Sequence, residues 1–427
     1  MCREQFVSEQ PFAGIRVIEF GQFVAVPVAA QLLADGGAEV IKVESLAGDP
    51  IRNILPLAPG ESRYFITRNN GKHALPLALS DPQAQPVIAA LVASADVVLM
   101  NLRPGLADKL GLDSEQLLSK HPSLIVGSVT GFGLHGPEAS DAGMDLVVQA
   151  RTGLMAANGR IIDGRPAAGD PVSADYMCAM TLAFGISSAL LRRTRTGKGG
   201  VVDTSLMQAA LALTASQLVR SEDHDVEKHE QMLDRLEQAR HQRASYEEQL
   251  EITRPTQRAH MFMVYYRTFV TADGHIAVAC GSPGLRLKFA QVLGVEDPAL
   301  SGDFDGDVDV HYQNLTNQVE QIIAAQSSAH WEQALREAGV PVSTVRFPIE
   351  LYDDEQIESN GFLHRFNHPS AGNMTVVGPP LSLDEAGFRP GVPTQPFGSE
   401  TRELLQSLGF SGDEIDRLIN GGTTRSD

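Results

Sequence analysis

Cysteine is nearly absent from this chain: 427 residues contain three, Cys2, Cys178 and Cys280. Their odd number and wide spacing form no disulfide framework and no zinc motif, which suits a reducing cytoplasm. Cations are also scarce. Lys and Arg total 34 against 53 Asp and Glu, a net charge of −19. Such a balance argues against nucleic acid or an anionic membrane as partner. No apolar run reads as a membrane span, and residues 1–14 lack a basic-then-apolar leader, so a cytoplasmic location is expected. The turn at 21–27, Gly-Gln-Phe-Val-Ala-Val-Pro, has no glycine fingerprint for a dinucleotide, so no permanently bound cofactor is expected. Gly197-Lys198-Gly199-Gly200 lacks both the earlier glycine and the following Ser or Thr of a phosphate loop. The acidic run 301–309 lacks the closing Glu of a calcium loop, and no metal site is expected.

What is present is a long chain with 43% hydrophobic residues, too long for one ordinary core. Short β-branched runs at 15–20, 39–43, 96–100 and 124–129 alternate with helical patterns at 27–35, 81–94 and 106–120. That alternation predicts an α/β fold, a Rossmann-like, mostly parallel sheet covered on both faces. Ligands of such sheets sit outside the carboxyl ends of the strands, which here carry Val24, Ala25, Asn101, Leu102, Arg103 and Thr130. From 221 to 255 the composition turns to charge with a thin apolar stripe, predicting a long solvated helix or helix pair. Thr268 to Cys280 reads as a hairpin, 313–338 as helix, and 341–345 and 374–380 as strands returning to the first domain. The expected domains are 1–220, a helical link 221–258, a small α+β domain 259–345, and a segment 346–427 that rejoins the first.

Pro171 to Arg193 stands out. From Tyr176 to Leu191 there is no charge, and Met177, Met180, Leu182, Phe184, Ile186 and Leu190 leave almost no polar stripe. A helix apolar nearly all round is expected inside a core. One carboxylate, Asp175, marks its start. It is either an N-cap, satisfying orphan amides, or a nucleophile held at the edge of a buried helix.

Val-Ser-Ala-Asp-Tyr at 172–176, the apolar helix, and Arg-Thr-Gly-Lys-Gly-Gly-Val-Val-Asp-Thr-Ser-Leu at 195–206 together resemble the class III coenzyme A transferases, relatives of the α-methylacyl-CoA racemases. The resemblance extends to Leu-Leu-Ala-Asp-Gly-Gly-Ala-Glu-Val-Ile-Lys-Val-Glu at 32–44 and Asn-Leu-Arg-Pro-Gly at 101–105. It continues through Ser-Val-Thr-Gly-Phe-Gly-Leu-His-Gly-Pro at 128–137 and Gly-Met-Asp-Leu-Val-Val-Gln-Ala at 143–150. It implies that Asp175, not Asp170 or Asp145, carries the acyl group, and that acyl-CoA and a small carboxylic acid are the substrates. It also implies a homodimer of interlocked chains, and that Asn101 and Leu102 line a CoA channel. Arg68-Asn69-Asn-Gly-Lys72-His resembles the family's Asn-x-Asn-Lys-Arg stretch near the nucleotide. An acidic protein must gather cations locally for the phosphates of CoA, and Lys42, Arg68, Lys72, Arg103 and Lys109 are the candidates. Val24 stands where the formyl-CoA branch commonly has Gln. Relatives cover the intermediate with a glycine-bearing loop, but 254–266 has no glycine.

Two other functions compete. A racemase needs two bases flanking the substrate α-carbon, and its relatives place His before Asp where this chain has Met144-Asp145. A silent CoA-ester binding protein would suit the charged link but not the retained Asp175.

Overall fold

The computed structural model describes residues 10–103, 105–169, 171–253, 261–301, 304–384 and 387–426. Cys2, Asp170 and residues 254–260 of the glycine-free stretch lie outside them. The chain divides into two compact units, Met1–Leu250 with Asn360–Asp427, and Glu251–Ser359.

Six strands form the sheet of the first unit: β1 (Arg16–Phe20), β2 (Glu39–Glu44), β3 (Lys72–Pro76), β4 (Val97–Met100), β5 (Ile125–Thr130) and β6 (Gly200–Ser205). Every neighbouring pair is parallel, in the order β6-β5-β4-β1-β2-β3. Val17, Ile18, Val40, Ile41, Val97 and Val98 are fully buried, as strands covered on both faces require. The chain winds outward from β1 in both directions, so β1 and β4 diverge in connection and open a crevice at their carboxyl ends. The Asn101 side chain spans that crevice. It accepts from the Gln22 amide at 3.0 Å and donates to the Gln22 carbonyl at 2.9 Å.

The helices that matter for the site are α1 (Ala25–Asp35), α2 (Arg63–Asn69), α3 (Asp145–Arg151) and α4 (Ser173–Thr196). α1 and α4 pack on one side of the sheet. The helices Gln85–Ser94, Thr401–Ser407 and Gly412–Asn420 cover the other. The segment expected as one helix over 106–120 breaks into Leu106–Lys109 and Ser114–Lys120, because Gly111 adopts φ +72° and Asp113 caps a fresh start.

α4 departs from expectation. Ala174, Cys178, Leu182, Ile186 and Leu190, spaced four apart, are buried in the core, but the opposite stripe is not. Met180 and Leu191 are exposed and Phe184 is 75% exposed. With 24 residues, α4 is also long and apolar enough to cross a bilayer, contrary to the sequence reading. Its inner stripe is a core helix's. The outer stripe is apolar without protein over it in the single chain.

Within the charged stretch the described residues, to 253, form a helix pair, Val226–His241 and Tyr246–Thr253, with Arg243 in the left-handed region (φ +55°) at the break. In the second unit Tyr266–Val270, His275–Ala279 and Val342–Thr344 make an antiparallel sheet. Phe269, Phe289 and Trp331 fill its core. Residues 342–344 thus complete the small sheet instead of returning to the first unit. The helical pattern of 313–338 is two helices, Val308–Ala324 and Ser328–Glu337. Gly372–Val377 pairs with Leu363–His368 as a hairpin.

Candidate active site

Asp175 lies in the first turn of α4, but it is not the cap. The helix begins at Ser173 after Val172, whose side chain caps nothing. The missing acceptor comes from α3. Asp145 Oδ1 accepts from the amides of Ala174 at 2.9 Å and Asp175 at 3.2 Å, and its Oδ2 accepts from Gln149 Nε2. Asp145 is only 6% exposed, so a distant carboxylate does the capping and complements the positive helix end. The Asp175 carboxyl is left free of structural duty. The segment before Asp145 is fixed by backbone contact: a methyl built on Gly131 would lie 2.6 Å from Gly143 Cα, and one on Gly143 would lie 2.2 Å from Gly131 Cα.

Asp175 faces a cavity of about 970 Å³ whose walls come from α1, α2, the starts of α3 and α4, and residues 376–380 and 390–391, all of the first unit. Burial pushes its carboxyl up to about 7, the Asp145 charge adds to the rise, and Arg68 opposes it. A carboxylate poised there is more basic, hence more nucleophilic, than an exposed Asp and still largely ionised at mildly alkaline pH. Phe23 also lines the cavity, in the turn after β1 with φ +66°, a conformation a bulky side chain adopts only where its surroundings impose it. Asp35, at the end of α1, is pushed up to about 6 by burial, with the Gln31 side chain and the Gly391 amide bonded to it.

Of the expected cations only Arg68 lines the cavity. Lys42 and Lys72 are placed elsewhere, and they correct the expectation of phosphate contacts. In-register pairing sets Lys42 beside Glu19, and Lys72 follows on the same face of β3. Lys42 Nζ donates to Glu19 at 2.8 Å and to the Gly21 carbonyl at 2.7 Å, and pairs with Asp49 at 3.0 Å. Lys72 Nζ donates to Glu19 at 2.8 Å, the Pro27 carbonyl at 2.7 Å and Asn69 Oδ1 at 2.9 Å. Both ammonium groups are buried and spend three contacts inside the protein. Burial would raise the Glu19 pKa, but the two lysines hold it below the usual range. The same burial lowers Lys72 to about 8. These residues brace the β1–α1 turn from beneath, and Asn69 is part of that brace. Val24 lines the cavity and Ala25 is buried beside it. Asn101 locks the crevice as described, and Leu102 packs partly buried on the core. Arg103 and Lys109 are exposed beyond β4, and Thr130 Oγ1 accepts from the Gly133 amide at 3.0 Å.

The family model for CoA-transferase family III matches residues 12–400. This chain belongs to CoA-transferase family III. Among curated relatives, the cinnamoyl-CoA:phenyllactate CoA-transferase of Clostridium sporogenes is 28% identical, over 95% of this chain and 95% of its own length. The succinyl-CoA:glutarate CoA-transferase of Mus musculus is 28% identical, over 97% of this chain and 90% of its own. The crystal structure of Rv3272 from Mycobacterium tuberculosis superposes with a TM-score of 0.71 at 29% identity, covering 92% of this chain and 98% of that one.

For a family III CoA-transferase of this architecture, four residues that build the site were not singled out for it from the sequence. Glu19 was visible as a carboxylate flanked by Ile18 and Phe20 inside a β-branched run, the signal that something buried must neutralise it. Asp145 carried no such signal, since its partners are 29 and 30 residues away. Tyr64 and Tyr176, whose rings flank Arg68 at 5.0 and 5.9 Å, come together only in the fold.

Proposed function

We propose that this enzyme moves coenzyme A from an acyl-CoA to a free carboxylic acid through covalent intermediates on Asp175. The observation that carries this reading is a carboxyl in the first turn of a helix capped from elsewhere, facing a large cavity with its pKa raised to about 7. Asp175 attacks the thioester carbonyl; the C–S bond breaks, and an acyl-aspartyl anhydride and CoA thiolate form. The thiolate attacks the aspartyl carbonyl, releasing the donor acid and leaving an aspartyl-CoA thioester. The acceptor carboxylate attacks that thioester, giving a second anhydride and thiolate. The thiolate then takes the new acyl group and frees Asp175. Both intermediate types hydrolyse in water, and the apolar walls around Phe23, Val24 and Tyr176 exclude it. Relatives whose names include phenyllactate and glutarate support a small organic acid as the acceptor.

In the racemase reading a second base would stand near Asp175. Met144 lines the cavity beside Asp145, and its thioether moves no proton. The test is a product screen by mass spectrometry, with acetyl-, succinyl- and formyl-CoA against a panel of free acids. Asp175→Asn removes the nucleophile without removing a cap, so transfer falls by several orders of magnitude while CoA binding persists. Hydroxylamine added during turnover converts the acylated residue to a hydroxamate that peptide mapping finds at Asp175. An Asn variant with near-wild-type rates refutes the proposal.

A further inference from the structure

Arg68 is a buried cation with no contact ion pair among the described residues. It leaves α2 facing the cavity, is 7% exposed, and its Nε has no hydrogen-bond partner. Among the described residues it forms no ion pair and no hydrogen bond. The Tyr64 and Tyr176 rings, at 5.0 and 5.9 Å, are its close companions. The other buried arginine nearby is treated differently: Arg52 binds Glu44 through both Nε and Nη2 at 2.8 Å and reaches Glu61 at 3.2 Å. Taking a guanidinium out of water is costly unless an anion offsets it, and aromatic faces offset only part of that cost. A fork of five N–H donors in one plane fits a carboxylate with two parallel bonds. The cavity carries two further unpartnered polar atoms, Asn70 Oδ1 and Gln31 Oε1. The field of Arg68 reaches Asp175, opposing the rise in its pKa, so an anion held by Arg68 lies within the same chamber as the reacting carboxyl.

We propose that Arg68 receives a second carboxylate, and that the acid carried by this enzyme is a dicarboxylic acid, one carboxyl reacting at Asp175 and the other paired with the guanidinium. The proposal rests on the transferase reading and narrows its substrate class. The Tyr64 and Tyr176 rings beside the guanidinium carry no competing negative charge.

The test compares matched pairs in the full-length protein: glutarate against pentanoate and succinate against butanoate, as acceptors with whichever donor CoA ester turns over. Wild type prefers the dicarboxylate in kcat/KM by more than about tenfold, the worth of a charge-assisted bidentate pair. In Arg68→Met that preference collapses toward one, and Arg68→Lys, which keeps charge but not the fork, lies between. If Arg68 serves only to keep Asp175 ionised, Arg68→Met lowers both acids equally and moves the acidic limb of the pH profile upward, which overturns the proposal. A wild type that prefers the monoacid does so as well. If no acid accepts CoA, the transferase reading fails on its own, and titration calorimetry of glutarate and pentanoate still decides the site. Glutarate binding to wild type that is lost in Arg68→Met, with pentanoate indifferent, sustains it; no binding to wild type sinks it. Arg68→Lys carries the comparison should the Met variant not fold.

Discussion

Replacing Asp145 separates the support of the reacting carboxyl from the carboxyl itself. Asp145→Ala removes the acceptor for the Ala174 and Asp175 amides and for the Gln149 side chain, at a position that is 6% exposed. Loss of a helix cap costs about 1 kcal/mol, and a buried donor left unpaired about 1–3 kcal/mol more, so a loss of roughly 2–4 kcal/mol is expected. Asp145→Asn keeps one oxygen for the Ala174 and Asp175 amides but loses the charge at the helix end, on the order of 0.5–1 kcal/mol, and the oxygen that accepts from Gln149, about 1 kcal/mol more. Urea unfolding reads both. The pH profile then reads the electrostatics. Asp175 must be ionised to attack, so kcat/KM rises with pH through its pKa, which burial first and Asp145 second push up to about 7. Without the Asp145 charge the acidic limb moves to lower pH, and each unit of movement raises the rate on that limb about tenfold. The Asn variant is therefore faster than wild type on the acidic limb, provided its fold holds. An Ala variant as stable as wild type, or an Asn variant whose limb stays put or moves up, refutes this account of the seat.

Lys42→Met leaves Glu19 and Asp49 buried with too little positive charge, and should cost about 3–5 kcal/mol in urea unfolding; an unchanged midpoint would exclude the ion cluster as described. The uncovered apolar stripe of α4, with Phe184 and Leu191 outward, predicts a homodimer, twice the chain mass of 45.9 kDa by light scattering, and a particle of single-chain mass contradicts it. A chiral 2-methylacyl-CoA in deuterated water should show no enzyme-dependent α-exchange, since Met144 offers no base; incorporation of deuterium would restore the racemase.

The sheet was legible because its strands are continuous β-branched runs punctuated by glycine, and such runs have few alternatives to a buried parallel strand. Asp175 was legible as the one carboxylate at the head of a long uncharged segment. Of its two readings, cap or nucleophile, the cap falls to Asp145, because capping is a matter of which oxygen reaches the first amides and Asp145 reaches them from another helix. Lys42 and Lys72 were read as surface cations waiting for phosphate because sequence gives charge without register. Once β1, β2 and β3 align, Glu19 claims both. α4 was read as buried all round because its composition cannot distinguish core from a face that another surface could cover.

The contact between Gly131 and Gly143 has a consequence for how this protein can change. Where two α-carbons touch, no side chain adjusts the gap, so the placement of Asp145, and through it the head of α4, is a fixed dimension of the scaffold. Any residue larger than glycine at either point displaces backbone. The cavity walls have no such constraint: Arg68 and Tyr64 ride on a seven-residue helix, and Val376 and Val377 end a hairpin that pairs only with itself, with Gly378 to Pro380 just after it. Reactivity and selectivity are thereby inherited separately. A lineage, or a mutagenesis library, can exchange one acid for another by altering the walls while the reacting carboxyl keeps its address.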